Sequence, residues 1–334
     1  MAVSPRFTRR QTVLSAAALA ASGNLLSALD RRTTAAAQVE GIEAFTDPTA
    51  SAEDLTQAWF ALLSQASVDR AGVGDAEAIA KSMELVQPWL DPAFQILRAT
   101  GERYVADTYV PASIGEFSID DVRETRPAKN LVVARYGVRT PGAATADTSM
   151  VLSDELAPRL TVFRWDDAAA RWLVLSHANF NVPVSTICDA TPLTPALNPP
   201  VPTIHDDVLL GISLVQAAAA AAYAGDTTPV LDPNIQVQTA GGYGYTTLAE
   251  RPGETKLEPC LVENFLVTRH DDTIVVSFRG AASGEVNEIE MNSAEMPRML
   301  TFRLNEEGEW KVIATAYFST VAGVPEGVDC EAAS

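Results

Sequence analysis

The sequence predicts an α+β protein of two tandem domains, each opening with helical segments and continuing into a run of antiparallel strands. Three observations predict it. Four short blocks recur in the same order at nearly one shift along 334 residues, a length that suits about two domains. Apolar residues ahead of each set of blocks repeat at helical spacing. The blocks themselves are rich in β-branched and aromatic residues, and turn chemistry separates them. Helices first and strands afterwards is the α+β order, not the alternation of a βαβ chain.

The repeats are explicit. Pro158-Arg159-Leu160-Thr161-Val162-Phe163-Arg164 matches Pro297-Arg298-Met299-Leu300-Thr301-Phe302-Arg303 at a shift of 139. Trp172 to Phe180 then meets Trp310 to Phe318 after a turn one residue shorter. Upstream, Leu90-Asp91-Pro92 meets Leu231-Asp232-Pro233, and Leu131-Val132-Val133 meets Ile274-Val275-Val276. The first helix is read from Leu55, Trp59, Leu62, Leu63 and Ala66 behind Ser51 and Asp54, a capping pair. Ile79, Met83 and Val86 predict a second helix. Val208, Ile212, Val215 and Ala219 predict the helix that opens the second half, behind Asp206 and Asp207. Turns are expected at Pro127–Asn130, His270–Asp272 and Asn305–Gly308.

The domain boundaries follow. Residues 50–185 form the first unit and 203–322 the second, with a tail at 323–334. The connection, 186–202, holds five prolines at 192, 195, 199, 200 and 202, which suits a semi-rigid extended linker. Residues 1–37 resemble a twin-arginine export signal: Arg9-Arg10 lead an alanine-rich, mildly apolar stretch that ends at Ala35-Ala36-Ala37. Thr12 stands where that pattern usually has Phe. Cleavage before Gln38 removes five arginines and one aspartate, and leaves the chain near −23 from a starting −19. The expected location is periplasmic or extracellular. Cys188, Cys260 and Cys330 permit one disulfide there and leave one thiol over. A strongly acidic chain is a poor partner for nucleic acid or an anionic membrane surface. After the signal, no run is expected to cross a membrane.

Leu-Asp-Pro opening a strand, Tyr223-Ala224-Gly225-Asp226 ahead of it, and a closing hairpin with Arg-Leu-Thr before Trp-x-Val resemble the nuclear transport factor 2-like superfamily, in its SnoaL-like and ketosteroid-isomerase-like branches. The resemblance covers nearly all of both units. It implies two tandem cone-shaped domains, each a curved antiparallel sheet wrapped around N-terminal helices with a pocket inside. It also implies a choice among small-molecule binder, cofactor-free acid/base enzyme and protein-pairing module, since this fold carries all three.

The residues narrow the chemistry without choosing. There is no nucleophile-elbow serine, phosphate loop or dinucleotide fingerprint, and no cofactor is expected. His177, His205 and His270 are too scattered to suggest a metal. Strict alternation along the last strands puts Trp172, Val174, Ser176, Ala178 and Phe180 on one face, under the helices. It puts Leu175, His177, Asn179 and Asn181 on the other, with Ile313, Thr315, Tyr317 and Ser319 as their counterparts. On the resemblance that outer face is where domains pair, so His177, Asn179 and Tyr317 either line an interface between the units or reach a ligand. Asp120 and Glu263 are aligned carboxylates that serve as a pocket acid or reach solvent near a strand end. Arg135 suits an anionic ligand or an edge position. Tyr104 and Tyr245 supply pocket hydroxyls or pack as core aromatics. Arg159 and Arg298 recur in both units, which favours a structural role. A small apolar molecule is the expected partner, and the two units are expected to pair sheet to sheet.

Overall fold

The computed structural model describes residues 41–67, 75–99, 101–143, 154, 156–181, 205–240, 244–250, 255–257, 262–286 and 289–318. The expected export signal, the proline-rich connection, the tail from 323 and all three cysteines lie outside the described residues.

In the first half, α1 (Ala52–Gln65) and α2 (Ala76–Val86) precede six strands. These are β1 (Leu90–Arg98), β2 (Arg103–Val105), β3 (Ser118–Ala128), β4 (Leu131–Arg139), β5 (Ala157–Asp166) and β6 (Arg171–Asn179). Their order across the sheet is β2-β1-β6-β5-β4-β3. In the second half, α3 (His205–Tyr223) precedes β7 (Leu231–Thr239), β8 (Gly244–Tyr245), β9 (Thr255–Leu257), β10 (Val262–His270), β11 (Thr273–Val286), β12 (Ile289–Leu304) and β13 (Trp310–Tyr317). That sheet runs β8-β7-β13-β12-β11-β10, with β9 beside β11. The two sheets therefore follow the same path. Both are mixed, contrary to the antiparallel expectation, because β1 pairs parallel with β6 and β7 pairs parallel with β13. Residue alternation within a strand encodes its faces, not the direction of its neighbour.

The helices begin where the caps predict. The Ser51 hydroxyl accepts from the Asp54 amide and the Asp54 carboxylate accepts from the Ser51 amide, both at 3.1 Å. Glu124 on β3 accepts from the Ala52 amide at 2.7 Å, which fixes the positive end of α1 to the sheet. Residues 206–223 of α3, with mean hydropathy 1.2, are long and apolar enough to cross a membrane by length and composition, which the sequence reading did not anticipate. In the fold this helix seats Gly211 and Val215 on the second sheet. A Cβ at Gly211 would stand 2.7 Å from both Val267 methyl carbons. Gly211→Ala is expected to lower stability by about 1–3 kcal/mol, read as a lower urea midpoint at unchanged slope.

The recurring Leu-Asp-Pro and Phe-Arg blocks belong together. Asp91 Oδ1 accepts from the Ala93 amide at 2.8 Å, turning the chain over Pro92, while its Oδ2 accepts from Arg164 Nε at 2.6 Å. Asp232 repeats this with the Asn234 amide at 2.9 Å and Arg303 at 3.0 Å.

The two sheets pack face to face. An apolar layer common to both contains Leu97, Val133, Val162, Leu175 and Phe180 beside Val275, Met299, Ile313, Ala316 and Phe318. Phe180 stacks on Phe318 at 4.4 Å between ring centres, and the Ser176 and Thr301 hydroxyls meet at 2.8 Å. Gln95, fully buried on β1, donates to the Leu266 and Val275 carbonyls at 3.2 and 2.8 Å, and accepts from the Ser277 hydroxyl at 2.7 Å. Gln236 on β7 returns the gesture, donating to the Arg123 and Val133 carbonyls at 3.0 and 2.7 Å.

The strict alternation expected along the last strands does not hold. Phe163 pairs with Val174 but the next residue, Val162, pairs with Ser176, so Leu175 is an extra residue in β6. Ile313 is the same insertion in β13, between Val312 and Ala314. A bulge moves every later side chain to the opposite face. Trp172 remains on the helix side, its indole donating to the Asp47 carbonyl at 2.8 Å. Beyond the bulge, Ser176, Ala178 and Phe180 face the other sheet, and His177 and Asn179 turn into the first domain.

A candidate ligand site in the first domain

That turn assembles two rows of side chains on the inner face of the first sheet. Strand register sets Arg98, Asn179, Arg159 and Tyr136 side by side across β1, β6, β5 and β4. The adjacent row is Ile96, His177, Thr161 and Ala134. Helix α1 closes over them. Trp59 meets the His177 ring edge-on at 5.8 Å, and Phe60 meets Tyr136 at 6.1 Å and 90°. Between helix and rows lies a cavity walled by Phe60, Leu63, Ile96, Ala112 and Ile114, with Arg98, Tyr109, Thr140, Arg159, His177 and Asn179 on its polar side. The free space inside is on the scale of a single water molecule.

The polar side is electrostatically unbalanced. Arg98, 3% exposed, pairs with Glu102 at 3.0 Å and donates to the Val110 carbonyl at 2.5 Å. Its guanidinium lies 5.0 Å from the centre of the Tyr104 ring. Arg159, 2% exposed, donates Nη1 to the carbonyl of Pro158 at 2.8 Å, and its buried Nε has no partner. Among the described residues no carboxylate pairs with it. Burial draws its pKa down to about 10, which still leaves it charged at neutral pH. Burial pushes the Tyr109 phenol up to about 12, and raises that of Tyr136 as well, so both stay neutral.

His177 Nδ1 lies 2.8 Å from the Thr161 hydroxyl, which lies 2.8 Å from the Tyr136 hydroxyl. Burial, followed by the charges of Arg159 and Arg98, holds the imidazole pKa well below its ordinary range. It is therefore neutral at pH 7 and a weak base.

The structure separates the residues singled out by sequence. His177 and Asn179 line the cavity. Tyr104 is half-buried beside it, under Arg98. Asp120 and Glu263 are exposed on β3 and β10, so neither is a pocket acid. Their strands slip register at these points, between Asp120 and Arg123 and between Glu263 and Leu266. The following residues, Asp121 and Asn264, take positive φ of 53° and 55°. Arg135 reaches the other half of the chain, donating to the Thr246 hydroxyl at 3.3 Å, and is not in the cavity. Tyr245 and Tyr317 pack in the second domain. Arg98, Tyr109, Thr140 and Arg159 are the polar cavity residues that sequence did not single out as a site.

The second domain carries the same frame with other chemistry. The row matching Arg98-Asn179-Arg159-Tyr136 reads Thr239-Tyr317-Arg298-Phe278. The row matching Ile96-His177-Thr161-Ala134 reads Val237-Thr315-Leu300-Val276. Arg298 lies 4.9 Å from the Tyr317 ring centre and donates Nε to the Gly280 carbonyl at 3.0 Å. The arginine shared by both halves thus meets a ring and a carbonyl in one, and a cavity in the other. Among the described residues there is no group of three His, Cys, Asp or Glu placed to hold a metal.

No protein-family description matches this sequence, and no curated protein matches it at a significant level. Solved structures do. An NTF2-like protein from Cytophaga hutchinsonii is 20% identical over 35% of this chain and 99% of its own, with a TM-score of 0.30. A provisionally assigned ketosteroid isomerase from Shewanella frigidimarina is 18% identical over 31% and 90%, with a TM-score of 0.26. The CaMKII hub homology domain of Chlamydomonas reinhardtii is 16% identical over 34% and 97%, with a TM-score of 0.27. These three structures, an NTF2-like protein, a ketosteroid-isomerase-like protein and a hub domain, are each matched by about a third of this chain.

Proposed function

We propose that this chain is an exported small-molecule-binding protein with one site, inside the first domain. One observation carries the reading: the polar rows converge on a cavity in the first domain, while the matching rows of the second are filled by Tyr317, Phe278, Leu300 and Val276. Apolar walls with a few converging polar groups are what small-molecule sites are made of. Export rests on the Arg9-Arg10 segment and the Ala35-Ala36-Ala37 site alone.

An acid/base enzyme is the second candidate, and His177 is its best base. It is a weak one, and no carboxylate lines the cavity among the described residues. The pairing-module alternative is favoured less, because the outer faces of both sheets already cover each other within the chain.

Native mass spectrometry of the purified full chain, with extraction of whatever it carries, tests binding. One small molecule per chain is expected. Ala112→Phe, which places a ring in the cavity, should abolish its retention while circular dichroism stays unchanged. Retention by that variant would place the site elsewhere.

A further inference from the structure

We propose that the first-domain cavity takes a very small monoanion of the carboxylate class, of the size of formate, with Arg159 as the residue that holds its charge. The proposal rests on the binding role given to this cavity above, and names the class of its ligand.

The charges that face the cavity come from every strand around it, and they do not cancel. Arg98 on β1 is neutralised by Glu102 and further satisfied by the Val110 carbonyl. Tyr136 on β4 and Tyr109, in the segment after β2, remain protonated phenols. His177 on β6 is uncharged at pH 7. Among the described residues that leaves Arg159 on β5 as one positive charge with no countercharge, 2% exposed. An isolated buried cation is among the most costly arrangements in a folded protein, and buried charges are ordinarily paired. The missing partner is a single negative charge.

Geometry narrows the anion. Nη1 is held by the Pro158 carbonyl, so the edge that carries the buried, unpartnered Nε is the one left for an anion to satisfy. A guanidinium edge presents parallel N–H donors that match the two oxygens of a carboxylate. The cramped space, walled by Phe60 and Ile96, leaves no room for an alkyl tail and limits the anion to a few heavy atoms. A structural explanation of this arginine has to account for Arg298, which occupies the same place in the second sheet. There a ring and a carbonyl satisfy the guanidinium, and the row offers Tyr317 where the first has Asn179.

The test titrates the purified full chain with sodium acetate and sodium formate at constant ionic strength, following heat of binding and thermal midpoint. Acetamide serves as the uncharged analogue and sodium chloride as the halide. Formate should saturate at one per chain, with acetate weaker because its methyl group lacks room, and acetamide should bind at least about tenfold more weakly than formate. Arg159→Met should lose at least about tenfold in carboxylate affinity and raise the midpoint of the ligand-free chain, because it removes an uncompensated charge. Arg298→Met should leave the affinity unchanged. Equal binding of formate and acetamide, no carboxylate binding, or full affinity in Arg159→Met overturns the proposal. Saturation by chloride in preference to carboxylate also overturns it, in favour of a halide site. If extraction yields a neutral ligand that Ala112→Phe abolishes, the anion proposal falls and the binding role stands.

Discussion

Ile313→Asp is expected to lower the unfolding midpoint of both halves together, by on the order of 10 °C. Ile313 is wholly buried in the apolar layer shared by the two sheets, where Leu175 and Phe180 come from the opposite half. A carboxylate there has no cation within the layer, and burying it costs about 4 kcal/mol or more. The measurement can assign the loss to a half. Four of the five tryptophans, Trp59, Trp89, Trp165 and Trp172, lie in the first domain, so a Trp310→Phe background makes fluorescence report on that domain alone. The first-domain midpoint should fall with the substitution although the change is made in β13. If fluorescence holds its midpoint while circular dichroism melts in two steps, the halves are energetically independent.

Asp91→Asn should cost about 3–5 kcal/mol, the range for breaking a buried ion pair from one side. Asparagine keeps an oxygen for the Ala93 amide, so the turn over Pro92 survives. The lost charge leaves Arg164 buried with 6% of its side chain exposed and, among the described residues, Asp271 as its one remaining carboxylate, at 3.8 Å. His270, from the other half, also loses a carboxylate partner at 3.2 Å. Asp232→Asn should cost less, since Arg303 keeps 18% of its side chain in solvent and water can take over part of the load. Chemical denaturation of the two variants against the parent chain gives the comparison. Equal losses would mean that burial of the arginine does not set the cost.

The contrast between these pairs shows what sequence could carry. Leu-Asp-Pro and Phe-Arg recur because each aspartate pairs with its own arginine far along the chain, so the repeat was legible as recurrence before its purpose was visible. The capping pair Ser51 and Asp54 and the turn at His270–Asp272 were legible for a different reason: their partners lie within a few residues. The inner face of β6 was not legible. Nothing in Leu175 or Ile313 marks a bulge, because the extra residue is defined by pairing with β5 or β12. One missed insertion reversed the placement of His177 and Asn179. Arg159 was hidden differently, by its twin: recurrence suggested a shared structural duty, and the deciding difference is Asn179 against Tyr317 in the neighbouring strand. Asp120 and Glu263 looked like pocket acids only while β3 and β10 were taken as regular.

Gln95 and Gln236 carry a consequence for how the chain is made. Each side-chain amide nitrogen donates to carbonyls of the opposite half, so these hydrogen bonds exist only once both halves are in place. During synthesis the first half emerges without its counterpart, with Gln95, Leu175 and Phe180 on a bare sheet. It must wait in that state, or borrow the matching surface of another chain, until residue 318 has been added. Joining the halves in one chain keeps the matching surface at high effective concentration, which favours pairing within the chain over pairing with a stranger.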